Sequence, residues 1–177
     1  VEKAAQENDL VHLFMVSEDA SFFPYTVRKR LIMEGTAHLK NIRYHDSGPY
    51  IISQNTFPSY FQKDEEAVIL SHANLDLAIF TKIAARMGIT ARYVGEEPTS
   101  LVTGLYNQVM AKRLPEAGIG CVIVPRKTQN GIVVSASTVR RDIQQGNWDE
   151  VKALVPETTW NYLRSEEGQP VVDKIRA

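Results

Sequence analysis

Hydrophobic positions along this chain fall into two kinds of segment, short unbroken runs and longer stretches with apolar residues three and four apart. Residues 9–17 read Asp-Leu-Val-His-Leu-Phe-Met-Val-Ser, with an apolar run after His12. Such a run, flanked by polar residues, predicts a strand buried on both faces, as in a parallel sheet. Shorter strands are predicted at 42–45, 89–94 and 119–124. A helix is predicted over 24–35, with Pro24 near its start and Gly35 as its stop. Residues 74–88 carry apolar side chains at 75, 79, 80, 83, 84 and 87, which is helical spacing closed by Gly88. Further helices are predicted over 99–114, 137–145, 148–154 and 158–165. Residues 46–64 hold Gly48, Pro49 and Pro58 among several aromatic rings and read as an irregular loop with a short strand at 50–53. The segment 166–177 is polar and is expected to pack loosely.

Strands alternating with helices predict an α/β fold, a parallel sheet with helices on both faces. At 177 residues the chain is expected to form one domain over 1–177, ending in short helices from about 147. The start, Val1 to Asn8, reads as the tail of a helix capped at its end, so further residues are expected upstream. Net charge is −1, which is no footprint for nucleic acid. Apolar runs such as 120–124 are too short for a bilayer, so no membrane is expected. The single cysteine, Cys121, excludes an internal disulfide framework and fits a reducing compartment, which makes the cytoplasm the expected location.

Ligands in parallel sheets sit beyond the carboxyl ends of the strands, so chemistry is sought there. After the first strand come Ser17, Glu18 and Asp19, then a cationic helix face, Arg28-Lys29-Arg30. That face is either simply solvated or turns Arg28 toward a ligand crevice. After the 89–94 strand, Gly95 allows close backbone approach, and Glu96 and Glu97 either accept ribose hydroxyls, serve a metal or lie exposed in a turn. After the last strand and an Asn130-Gly131 loop comes Ser135-Ala-Ser-Thr-Val-Arg140. Three hydroxyls at a helix start, with an arginine one turn in, form either an ordinary cap or a phosphate site. The four histidines, His12, His38, His45 and His72, show no metal-ligand spacing with Cys121. His12 is read as structural, while His45 and His72 flank the aromatic loop.

Taken together, Leu13–Tyr25, Ser47–Ser53, Thr56–Phe61, Val94–Pro98 and Ser135–Arg140 resemble the C-terminal domain of citrate lyase ligase. The aromatic stretch 47–61 is the most specific part. The Ser-Ala-Ser-Thr-Val-Arg segment is similar to the phosphate-binding signature of the wider nucleotidylyltransferase superfamily. The resemblance implies a Rossmann-like fold. It also implies a reaction: ATP and acetate acetylate the prosthetic-group thiol on the acyl carrier subunit of citrate lyase, through an acetyl-adenylate, with release of AMP and pyrophosphate. Mg²⁺ is expected with the ATP.

In that reading Arg140, Ser135, Ser137 and Thr138 hold the phosphates, Arg28 adds a second cationic contact, and Gly95, Glu96 and Glu97 face the adenosine. The loop containing Ser59, Tyr60 and Phe61 is expected to act as a lid or to receive the pantetheine arm or acetate. The superfamily's His-x-Gly-His motif, which follows its first strand, occurs nowhere in the chain, and that strand and motif are expected upstream of Val1. Two alternatives stay open, an adenylyltransferase acting on a phosphopantetheine or mononucleotide, and a non-catalytic docking domain for an acyl carrier.

Overall fold

A computed structural model describes residues 1–97, 100–129 and 131–177. Pro98, the expected helix start at Thr99 and the Asn130 half of the expected Asn-Gly turn lie outside the described residues. The elements follow the predicted alternation: helix α1 (Glu2–Glu7), strand β1 (Val11–Met15), α2 (Tyr25–Gly35), β2 (Ile42–Asp46), α3 (Glu66–Met87), β3 (Ala91–Gly95), α4 (Leu101–Glu116), β4 (Gly120–Val124), β5 (Thr128–Gln129), β6 (Ile132–Val133), α5 (Ala136–Gln145), α6 (Trp148–Leu154), α7 (Glu157–Leu163) and α8 (Gln169–Arg176). The fold is α/β. Strand β3 pairs in parallel with β4, in the register Ala91 to Gly120 through Gly95 to Val124. Strand β1 neighbours β2, and β5 with β6 makes a small antiparallel hairpin.

Packing divides the chain into two compact units interleaved along the sequence, residues 12–18 with 44–126, and residues 1–11, 19–43 and 127–177. The first unit is built on α3 and α4. Ile69, Ala73, Leu77, Phe80 and Ala84 form one stripe of α3 and pack with Leu105, Tyr106, Met110 and Leu114 of α4. Phe14, Val94 and Cys121 from the strands pack on the same core. Helix α3 begins eight residues before the expected Asn74, because Ile69 and Ala73 belong to the buried stripe. The Asn74 side-chain amide donates to the Leu70 carbonyl one turn back. Leu75, expected inside, is exposed. By length and composition α3 is apolar enough to cross a membrane, contrary to the reading of the short runs. Here its apolar stripe is core.

The expected strand at 50–53 is absent. Ile52 has a positive φ of 48°, a conformation that extended pairing excludes and that β-branched residues rarely adopt. Side-chain hydrogen bonds hold the turn instead: Ile52 N–H donates to Asp76 Oδ1 (2.6 Å), and Ser53 Oγ donates to the Pro49 carbonyl (2.8 Å).

In the second unit, Ile143, Val151, Tyr162, Leu163, Val171, Val172 and Ile175 make the core. The 166–177 segment is therefore not loose. It forms α8, whose apolar face is buried. Gly168 makes the entry to α8 possible, since a Cβ there would lie 2.0 Å from the Tyr162 carbonyl oxygen.

Candidate functional site

Helix α5 starts as its sequence predicts. Ser135 is the cap, in extended backbone, and its hydroxyl accepts the Thr138 N–H at 3.1 Å. The same Oγ lies 2.9 Å from Ser137 Oγ and 2.8 Å from Thr138 Oγ1. Three hydroxyls thus cluster where the helix dipole is positive, and Ser137 is exposed. Arg140 is half-buried, and its guanidinium lies over the Phe22 ring, 5.2 Å from the centroid. Lys174 Nζ approaches the same ring at 5.8 Å. Two cations therefore share one aromatic support, an arrangement that invites an anion.

Arg28 lies on α2, against the turn that precedes the helix. Its Nε donates to the Phe23 carbonyl at 3.2 Å and its Nη2 lies 3.8 Å from Asp19 Oδ1, while Asp19 also accepts the Tyr25 N–H. Arg28 braces the turn that carries Phe22 and Phe23.

At the ends of β3 and β4, in the other unit, Gly95 is exposed and nothing lies within 4 Å of a Cβ built on it, so its backbone is open to approach. Its carbonyl accepts from Asn107 Nδ2 at 3.0 Å. Glu97 is engaged: it forms an ion pair with Arg126 and accepts the Ser100 N–H. Arg126 Nε also donates to the Glu96 carbonyl at 2.9 Å. Parallel pairing brings these strand ends side by side, so the Glu97 carboxylate meets Arg126, an ion pair that no local sequence signal marks. The Glu96 side chain is exposed.

The 47–61 loop is tied down along its length. Ser47 Oγ accepts the Ser17 N–H (3.0 Å), Ser17 Oγ accepts the Gly48 N–H (3.2 Å), and Glu18 accepts the Gln54 N–H (2.8 Å). Asp76, fully buried on α3, accepts from Ile52 N–H, from Thr56 Oγ1 at 2.8 Å and from the Tyr106 hydroxyl. Burial, with Asp76 adding to it against Arg92, pushes the Tyr106 phenol up, so it stays a donor. Asp76 left a legible trace in the sequence, a single acid within the stripe 69, 73, 77, 80. Phe57 fills the core against Tyr106, and Tyr60 rests edge-on to both Phe57 and Phe61. Tyr50 and Tyr60 are exposed.

Ser59 is completely buried. Its hydroxyl lies 2.7 Å from Asp64 Oδ2 and 2.5 Å from His72 Nδ1. His12 Nδ1 and His45 Nε2 meet at 2.9 Å, and His45 stacks on Phe14. Burial, and then His12, holds the His45 imidazole below its ordinary value. Cys121 is partly buried, and that burial pushes its thiol up, which suits a structural residue. Among the described residues no three His, Cys, Asp or Glu side chains converge as a metal cage.

A family model described as the citrate lyase ligase C-terminal domain matches residues 1–163. Relatives named [citrate [pro-3S]-lyase] ligase match as well. Those from Haemophilus influenzae and Klebsiella pneumoniae are 43% and 42% identical over 170 and 168 residues, covering 93% and 92% of this chain and 51% and 49% of the relatives. The Escherichia coli relative is 36% identical over 171 residues, covering 93% of this chain and 49% of its own. The chain thus spans about half the length of the curated relatives it matches.

Proposed function

The chain belongs to the citrate lyase ligase C-terminal domain family, and from that premise we propose that it carries the ATP-using part of an acid–thiol ligase. The reaction joins acetate to the prosthetic-group thiol on the acyl carrier subunit of citrate lyase, and so activates that lyase. The observation that carries the reading is the hydroxyl cluster of Ser135, Ser137 and Thr138 at the start of α5, with Arg140 supported on Phe22.

An acetate oxygen attacks the α-phosphorus of ATP, the bond to the β-phosphate oxygen breaks, and pyrophosphate leaves with that electron pair. The thiol then attacks the acetyl carbon, and AMP leaves. The first step needs positioning and charge neutralisation more than covalent help. Ser135, Ser137 and Thr138 donate to the departing phosphates and Arg140 offsets their charge. Gly95 and Glu96 serve the adenosine end. Glu97 supports them through Arg126, and Arg28 acts by bracing the turn that holds Phe22. Tyr60, on the 47–61 loop, serves the thiol side. Mg²⁺ enters this reading as the counter-ion of the nucleotide phosphates. The reaction is placed in a bacterial cytoplasm, where a lone cysteine stays reduced.

The test is acetate-dependent exchange of pyrophosphate into ATP, followed by acetate-dependent AMP release with and without the carrier subunit. Both are expected, the second only with carrier. Exchange that needs a mononucleotide or phosphopantetheine and ignores acetate would replace the reading with an adenylyltransferase. Carrier binding with no AMP release would replace it with a docking domain.

A further inference from the structure

Acetate arrives ionised and needs no base. A thiol ordinarily titrates near 8.5, so it is the one nucleophile in the proposed reaction that gains from deprotonation at neutral pH. The unit that carries the 47–61 loop holds a group suited to that task.

Ser59 sits in a 3-10 turn, Pro58–Tyr60, beside the exposed Tyr60. Its hydroxyl has one proton and two neighbours, Asp64 Oδ2 at 2.7 Å and His72 Nδ1 at 2.5 Å. The hydrogen bond from Ser59, and then that from Gln62, holds the Asp64 carboxyl below its usual range, so at neutral pH it is ionised and only accepts. The serine proton therefore lies toward Asp64. The His72 contact is then an N–H donated from Nδ1 to the serine oxygen, and in the neutral imidazole with that tautomer the lone pair lies on Nε2. Among the described residues Nε2 has no hydrogen-bond partner. His72 is partly exposed, and among the described residues Nε2 is not one of the fully buried side-chain atoms left without a partner. The order is carboxylate, hydroxyl, imidazole. In a serine nucleophile's triad the imidazole lies between the other two. Ser59, buried with its proton on a carboxylate, is no nucleophile.

We infer that His72 is the general base of the acetyl-transfer step, with Ser59 and Asp64 as positioning residues. The inference rests on the ligase reading. His72 Nε2 takes the S–H proton of the incoming thiol. The sulfur electron pair forms the C–S bond to the acetyl carbon. The C–O bond to the adenylate phosphate breaks, AMP leaves with that pair, and the imidazolium returns its proton to water. Through the Ser59 hydroxyl, the Asp64 carboxylate stabilises the imidazolium while it exists.

The two half-reactions separate this role from a tie that merely anchors the loop. His72→Asn keeps a donor near the Nδ1 position and removes the base. In the full native chain, acetate-dependent pyrophosphate exchange is expected to stay within about twofold of the parent. Acetyl transfer to the holo acyl carrier subunit, and to free dephospho-coenzyme A, is expected to fall by about 100-fold. Raising the pH from about 7 to about 9 generates thiolate without help and should close most of that gap. Asp64→Asn, which removes the charge behind the serine, should cost transfer about tenfold and leave exchange alone. Transfer undiminished in His72→Asn, a parallel loss of exchange and transfer, or a deficit unchanged at high pH would each overturn the assignment. If the native protein itself acetylates neither thiol, the ligase reading fails and this inference with it. An active native protein with an equally active His72→Asn overturns the inference alone.

Discussion

Tyr106 donates its phenol hydrogen to Asp76 in the middle of the α3–α4 core. The same carboxyl accepts the Ile52 N–H and the Thr56 hydroxyl, so one buried residue joins two helices to the loop that carries Tyr60. Replacing Tyr106 with Phe leaves a buried acceptor short of a donor, at a cost of about 1–3 kcal/mol. Urea unfolding should show the lower midpoint, and amide exchange should quicken at residues 50–56. Unchanged stability would mean that the carboxyl finds another donor.

Arg140 rests its guanidinium on the Phe22 ring. Arg140→Ala should raise the KM for ATP, or lower kcat in the exchange reaction, by ten- to a hundredfold, on the order of a charged hydrogen bond of about 1.5–3 kcal/mol. Phe22→Leu keeps the charge and loses its platform, so a loss of only about two- to fivefold is expected. Steady-state kinetics on both variants would check the ranking, and a larger effect from Phe22 than from Arg140 would contradict the phosphate role.

Tyr60 rests on Phe57 and Phe61 and presents its remaining surface to solvent. Tyr60→Ala is expected to slow acetyl transfer by about tenfold while pyrophosphate exchange holds, since a ring of this size contributes a kcal/mol or two of contact. Equal loss in the two assays would place Tyr60 on the nucleotide side or in the fold alone.

His45 is held below its ordinary value of 6.5 by burial and by His12, against the pull of Asp46. The unfolded chain therefore binds this proton more readily than the folded one. The stability tied to the neutral imidazole is complete above the unfolded value and is lost as the pH falls through the lower folded value. The melting temperature should drop on going from about pH 7 to about pH 5, and His45→Phe, which keeps a ring against Phe14, should flatten that drop. Native stability that rises on acidification over this range would contradict the assignment.

The resemblance carried by 47–61 and by Ser135–Arg140 is legible in the sequence, and so is the order of the larger elements. Those features are local. Ser135 satisfies a helix start within three residues, and Gly88 ends α3 with a φ of 67° that a side chain would resist. Helical spacing and short apolar runs likewise depend on near neighbours, so the sequence by itself determined the α/β alternation and the hydroxyl cap.

Contacts between distant residues were decided by the tertiary structure. Glu97 reads as a free acid until the parallel pairing of β3 and β4 sets Arg126 beside it. The stretch at 50–53 reads as a strand until Asp76, twenty-four residues on, holds Ile52 in a conformation no strand uses. Polar-looking residues 169–176 become a core helix because other helices offer Val171, Val172 and Ile175 a place to bury. His72 and Ser59 meet because the loop and α3 are pinned together at Asp76 and Thr56. Periodicity reports which face of an element is apolar, but the partner of a buried polar group is chosen by where the chain has already been forced to pass. That is why the helix cap could be read from sequence and the Asp64–Ser59–His72 relay could not.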